Sequence, residues 1–335
     1  MLIKVSTLLQ WPISRQIFRA NFNDIQFTIN QPVKTCDAWI VYQGLFRPET
    51  THCPPENVIL FTYEPPGLHD YPQAFLNQFA KIVTCHRSIQ HPGVIYRHQA
   101  QPWLAGLYRD GQHNIHRSDQ VRFTVDDFAA MAPPAKPRLL SVLCSNKVVT
   151  EGHRHRLAFV GQLRQALGDA VDVYGYGFQP LTDKWDALAP YKYHIVLENS
   201  IVEDYWTEKL ADAYLGYCFP IVSGCPNLER YFSQDAYLSI DIHQPDAAIA
   251  KIRTLLTEDP YQQKLPYLQQ ARRQILYEYN LFAEIIKLVQ IRPASAPQKI
   301  TLKDERLFLP GGWLKPWIRP LKDWWTSPHL KLASR

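Results

Sequence analysis

The stretch YHIVLENSIVEDYWTEKLADAY, residues Tyr193–Tyr214, decides how this chain is read. A continuous apolar run, Tyr193–Leu197, stops at Glu198-Asn199; Thr207-Glu208-Lys209 follow, and from there apolar residues recur at helical spacing. A short apolar run bounded by polar residues suits a strand buried on both faces, as in a parallel sheet. The pattern after it suits an amphipathic helix opening between Asp204 and Thr207, although Ser200 and Glu203 also scan as a capping box. Lys209 then falls in the first turn or two, where a cation opposes the helix dipole unless an anion sits at the terminus. Glu208 cannot ligate a phosphate and suits ribose hydroxyls. A solvent-exposed Glu–Lys pair on an ordinary helix is the plainer alternative.

Outward from this junction the same alternation recurs. Strands are expected at Leu139–Cys144, Val171–Tyr174, Pro220–Val222 and Ala236–Ile240, with helices at His153–Leu167, Tyr205–Tyr217, Asp246–Thr257 and Tyr261–Leu288. In the first half, strands are expected at Leu2–Leu9, Ala38–Tyr42, Val58–Tyr63 and Lys81–Cys85, with a helix at Gln73–Phe79. Strand and helix alternating in this way argue for parallel sheets in βαβ units. The proline-rich Ala132–Pro137 reads as a linker. The expectation is an α/β chain with two Rossmann-like domains facing a cleft: residues 1–132, a linker at 133–138, a second domain at 139–290 and a tail at 291–335. In open α/β sheets ligands lie beyond the carboxyl ends of the strands. Polar and glycine residues gather there in the second half, after Cys144, Tyr174, Leu197 and Val222.

Composition supports this reading: 46% hydrophobic and 20% charged residues over 335 positions suffice for large cores. The net charge of +5 is concentrated in the tail, where nine Lys/Arg face three acids. The body is close to neutral, so a body-wide nucleic-acid surface is not expected. Six cysteines form no zinc-like spacing and read as free buried thiols of a reducing compartment. MLIKVSTLLQW reads as a first strand rather than a leader or membrane span.

Further candidates stand at other junctions. SNKVVTEGHRHRLAFVGQL, residues 145–163, is a second strand-to-helix junction, carrying Arg154 and Arg156. Arginine holds phosphate oxygens bidentately, so cations from two helix openings could clamp a diphosphate. His153 and His155 have no carboxylate or Cys at ligand spacing and are not read as a metal site. In FTYEPPG, residues 61–67, prolines after Glu64 fix its loop, making that carboxylate a candidate general base or a simple turn acid.

These residues resemble a known family. LENSIVEDYWTEKLADAYLGYCFPIVSG, residues 197–224, is similar to the signature of the glycosyltransferase family 10 α1,3/4-fucosyltransferases, and FTYEPPG, the Arg154/Arg156 segment and VDVYGYG (residues 171–177) are weaker likenesses in the same order. The resemblance implies a GT-B fold and an inverting transfer from GDP-fucose to a hydroxyl of a glycan acceptor, with no metal or other cofactor required. It implies donor binding by Asn199, Tyr205, Glu208 and Lys209, with Arg156, or else Arg154, on the phosphates. It places Glu64 on the catalytic base. Tyr63-Glu64-Pro65 departs from the family pattern, which leaves open a catalytically inactive sugar-nucleotide or glycan-binding protein, or a GT-B transferase using another nucleotide sugar. With no anchor at its start and no paired cysteines, the chain is closest to the bacterial, cytoplasmic type. The tail LPGGWLKPWIRPLKDWWTSPHLKLASR interleaves Trp with Lys and Arg, a composition suited to a membrane interface. The expectation is a peripheral contact with the inner face of the membrane, where the acceptor could be a lipid-linked glycan; an arm packed on the body is the alternative.

Overall fold

The computed structural model describes residues 1–18, 24–108, 120–146, 148 and 151–309. Its first sheet contains β1 (Leu2–Thr7), β2 (Gln26–Ile29), β3 (Ala38–Tyr42), β5 (Val58–Phe61), β6 (Lys81–Thr84) and β7 (Val94–Tyr96), while β4 (Glu49–Cys53) lies outside it. The second contains β8 (Arg138–Leu143), β9 (Val171–Tyr174), β10 (Tyr191–Leu197), β11 (Phe219–Ser223) and β12 (Leu238–Ser239). The orders are β2-β1-β3-β5-β6-β7 and β12-β11-β10-β8-β9, and the strand pairings in both sheets are parallel. Counted within its own sheet, the first shows the doubly wound order 2-1-3-4-5-6 and the second 2-1-3-4-5, each with its switch point between its first and third strands. In the second domain that point is between β8 and β10. This is the α/β, GT-B-like pair of Rossmann-like domains that the sequence leads one to expect.

The sheets form because their central strands are apolar on both faces. Along β3 and β5, Ile40, Tyr42, Ile59 and Phe61 point into one core, and Trp39, Val41, Val58 and Leu60 into another. Helices α1 (Gln73–Leu76), α2 (Val125–Ala130), α3 (Glu151–Leu167), α4 (Glu208–Leu215), α5 (Pro245–Glu258), α6 (Tyr261–Tyr277) and α7 (Leu281–Leu288) complete the chain.

Three expectations need correction. The single helix over Tyr261–Leu288 is two helices. Asn280 ends the first run, caps α7 by accepting from Phe282 N, and donates to Gln16 O at 2.8 Å. The domains also exchange segments. Leu281, Phe282 and Ile285 of α7 pack in the first domain's core, whereas Trp103, Ala105, Val125 and Phe128 pack in the second's. The crossings therefore lie near residues 99–103 and 279–280, and Ala132–Pro137 is a connection within the second domain. The segment after residue 291 is not wholly a separate tail. Strand β13 (Gln298–Leu302) pairs antiparallel with β4, and Glu305 reaches His69 of the first domain. The Trp-rich stretch from residue 310 onward lies outside the described residues.

Candidate active site

Helix α4 opens later than the Ser200–Glu203 box would place it. Thr207 is its N-cap, accepting from Lys209 N, so Glu208 and Lys209 are its first two residues. The anion that balances Lys209 comes from the strand before it. Glu198, nearly fully buried, accepts from Thr207 N at 3.0 Å, from Thr207 Oγ1 at 2.7 Å and from Lys209 Nζ at 3.1 Å. One carboxylate thus satisfies a helix terminus and holds the lysine. Burial works against the Lys209 charge, but Glu198 and Glu208 outweigh it and hold its pKa above the ordinary lysine value.

Arg156 arrives from α3. Its guanidinium donates to Leu197 O at 3.2 Å, and its Nε is buried without a hydrogen-bond partner. Arg156 and Lys209 therefore converge on two successive residues, Leu197 and Glu198, at the carboxyl end of β10. Their helices follow β8 and β10, the two strands of the switch point. Arg154 lies on an exposed part of α3. Tyr205, almost fully buried, donates its hydroxyl to Asn199 Oδ1 at 2.9 Å, so these two residues brace the loop.

Glu208 is buried and ion-paired. Lys184 Nζ lies 3.3 Å from its carboxylate and Lys209 Nζ 3.7 Å. Burial alone would raise the Glu208 pKa, yet Lys209 and Lys184 pull it down to about 2. Lys184 also holds Asp212 of α4 at 3.0 Å.

Glu64 enters from the other domain, just beyond β5. Its main chain is clamped: His86 Nε2 donates to Glu64 O at 2.7 Å, and Gln101 Nε2 donates to Tyr63 O at 2.7 Å. Burial raises the Glu64 pKa above the ordinary carboxyl value; Lys209 pulls it back most strongly, His69 also lowers it, and Glu208 and Glu198 raise it further. A carboxylate of one domain thus lies within electrostatic reach of Lys209 of the other. Beside the cluster is a cavity of about 340 Å³ lined by Gly152 and His155 of α3, Glu198, Asn199, Ser223 and His243.

Every candidate from the sequence except Arg154 has a defined place in this arrangement. Glu198, Lys184 and Asp212 were not among the candidates. Glu198 carried a signal, as the first polar residue after a buried strand. Lys184 sits in a short helical turn with no periodic pattern to mark it. Among the described residues no group of three or more His, Cys, Asp or Glu could hold a metal, and the six cysteines are free and buried.

Comparison with known proteins adds to the geometry. Residues 133–274 match the model of the glycosyltransferase family 10 (fucosyltransferase) C-terminal domain. Two relatives are 4-galactosyl-N-acetylglucosaminide 3-alpha-L-fucosyltransferase FUT5 of Gorilla gorilla gorilla and FUT6 of Homo sapiens. Each is 35% identical over 94 residues, which is 27% of this chain and 25% or 26% of theirs. The match thus spans about a quarter of the length of these curated relatives. Among solved structures, an alpha1,3-fucosyltransferase is 16% identical with a TM-score of 0.48, over 88% of this chain and 91% of that one. An alpha1,3-fucosyltransferase with GDP is 15% identical with a TM-score of 0.47, over 84% and 92%. The strand orders carry the fold assignment, and the sequence likeness to the glycosyltransferase family 10 C-terminal domain is confined to residues 133–274.

Proposed function

We propose that the chain transfers fucose from GDP-fucose to a hydroxyl of a glycan acceptor. The observation that carries this reading is the convergence of Arg156 and Lys209 at the end of β10, with Glu64 of the other domain within electrostatic reach of Lys209. The donor's nucleotide occupies the cleft beside Asn199 and its diphosphate lies at the cation pair. Glu64 removes the acceptor hydroxyl proton as that oxygen bonds to the anomeric carbon. The bond from that carbon to the diphosphate oxygen breaks from the opposite side, inverting configuration. GDP departs with its new charge held by Arg156 and Lys209, a preorganised electrostatic contribution of about 3–4 kcal/mol per well-placed donor. On this reading the reaction needs no cofactor. Glu208, already bound to two lysines, meets the ribose through the face of its carboxylate left open, and its first task is to keep Lys209 in place.

Calorimetric titration with GDP-fucose, GDP-mannose and UDP-glucose tests the donor, and a panel of glycan acceptors with labelled GDP-fucose tests the transfer. Preference for the uridine nucleotide would refute the fucose assignment. Donor binding with neither transfer nor hydrolysis would favour an inactive binding protein. We propose in addition that residues 310–335 touch an anionic membrane surface, on the strength of their interleaved Trp, Lys and Arg. The protein would then work on the inner face of the membrane on a lipid-linked acceptor. Flotation with anionic and neutral liposomes, with and without this segment, tests that reading.

A further inference from the structure

Asp204 sits in the middle of the donor loop, between Asn199 and α4, and is fully buried. Its backbone is in the left-handed region at φ 60°, a conformation a non-glycine residue keeps only where its surroundings impose it. The two carboxylate oxygens are divided between the domains. Oδ1 accepts from its own domain: Tyr231 OH at 2.7 Å, Asn227 Nδ2 at 2.9 Å and Arg230 Nη1 at 3.3 Å. Oδ2 accepts from Arg87 of the first domain, whose Nη2 also reaches Glu203 at 3.0 Å. The Arg87 guanidinium is oriented beforehand by lying over the Tyr96 ring, 4.8 Å from its centroid. Asn227 closes the arrangement by accepting from Asp204 N at 2.8 Å.

We propose that Arg87 is a positioning residue for the donor site: through Asp204 it sets the conformation of the loop that carries Asn199 and Tyr205, so donor affinity depends on contact between the two domains. When the domains separate, Asp204 loses the partner of one oxygen in a buried setting, and the strained backbone at this residue loses one of its constraints. By linkage, a nucleotide that needs the ordered loop also favours the closed contact, and the coupling is reciprocal. The proposal rests on the donor reading given above, but its first effect, ordering of the loop, exists without any ligand.

The test uses the full chain and Arg87→Ala, whose side chain is 39% exposed and outside every core. Amide hydrogen exchange of residues 199–207 is followed without ligand, and GDP affinity is measured by calorimetry. The expected result is faster exchange confined to this loop, with GDP affinity about tenfold weaker because the competent loop is less populated. Arg87→Lys, which keeps the charge, recovers part of both. Unchanged loop exchange, or GDP affinity within about twofold of the unmodified protein, overturns the positioning role. Failure of the unmodified protein to bind GDP refutes the donor assignment instead, and the exchange measurement still decides the role of Arg87.

Discussion

Lys209 Nζ lies 3.1 Å from Glu198 Oε2, so the cation in the first turn of α4 is held by the first residue beyond β10. The lysine is set by the strand as much as by its own helix. It keeps its charge and its place without a bound anion, and on the proposed reading an incoming diphosphate would meet an oriented donor. The cost is a buried carboxylate that must always have a partner.

Glu198→Gln should therefore damage both fold and site. The neutral amide still accepts from Thr207 but leaves Lys209 without its main counter-charge. Unfolding free energy is expected to fall by about 1–3 kcal/mol. GDP binding, read by calorimetry, is expected to weaken, because Lys209 is no longer held in one rotamer.

Glu64→Ala should abolish transfer while sparing the donor. A loss of about 10²–10⁴ in rate is the usual contribution of a general base. GDP affinity should stay near that of the unmodified protein, since Glu64 belongs to the other domain. Because burial lifts the Glu64 pKa, the acid limb of kcat/KM should lie above the ordinary carboxyl range, with activity lost as pH falls through it. For stability the sign is opposite. A raised native pKa means that any stabilisation is present at low pH and is lost as pH rises through that value. Glu64→Gln should remove this decline, seen by comparing unfolding at pH 5 and pH 7.

Glu208 should make the opposite contribution. Its pKa of about 2 lies below the ordinary 4.5, so its stabilisation is present above the unfolded value and is lost as pH falls from there toward about 2. Glu208→Gln should be less stable at neutral pH by on the order of 3 kcal/mol, with the difference shrinking through that acid window. Denaturant unfolding at pH 7, 4 and 3 reads the change; a pH-independent difference would refute the ionic role.

Two glycines of α3 should respond in opposite directions. A Cβ at Gly152 would lie 2.1 Å from Asn199 O, a main-chain atom that cannot step aside, whereas one at Gly161 would meet nothing within 4 Å. Gly152→Ala is expected to cost about 1–3 kcal/mol through overpacking and to weaken GDP binding by displacing Asn199. Gly161→Ala should stabilise the helix by about 0.5–1 kcal/mol and leave GDP binding unchanged. Thermal unfolding with and without GDP separates the two effects.

The sequence alone determined the strands that are buried on both faces. Ala38–Tyr42 was legible to the residue, because a continuous apolar run between polar stops leaves a parallel strand little room to shift. It also determined the residue types at the end of β10 and the order in which they occur. Short strands with partly polar sequences, such as Gln26–Ile29 and Glu49–Cys53, carried no such signal, since their stability comes from a neighbouring strand. Tertiary structure decided what depends on long-range packing. The run from Tyr261 breaks at Asn280 because α7 packs on the other domain, and periodicity cannot show which core an amphipathic face will join. The choice of Arg156 over Arg154 depends on which side of α3 meets β10. The pairing of Lys209 with Glu198, and of Arg87 with Asp204, depends on loops whose course is set by burial of charge, a balance of desolvation and partner geometry that local sequence does not contain.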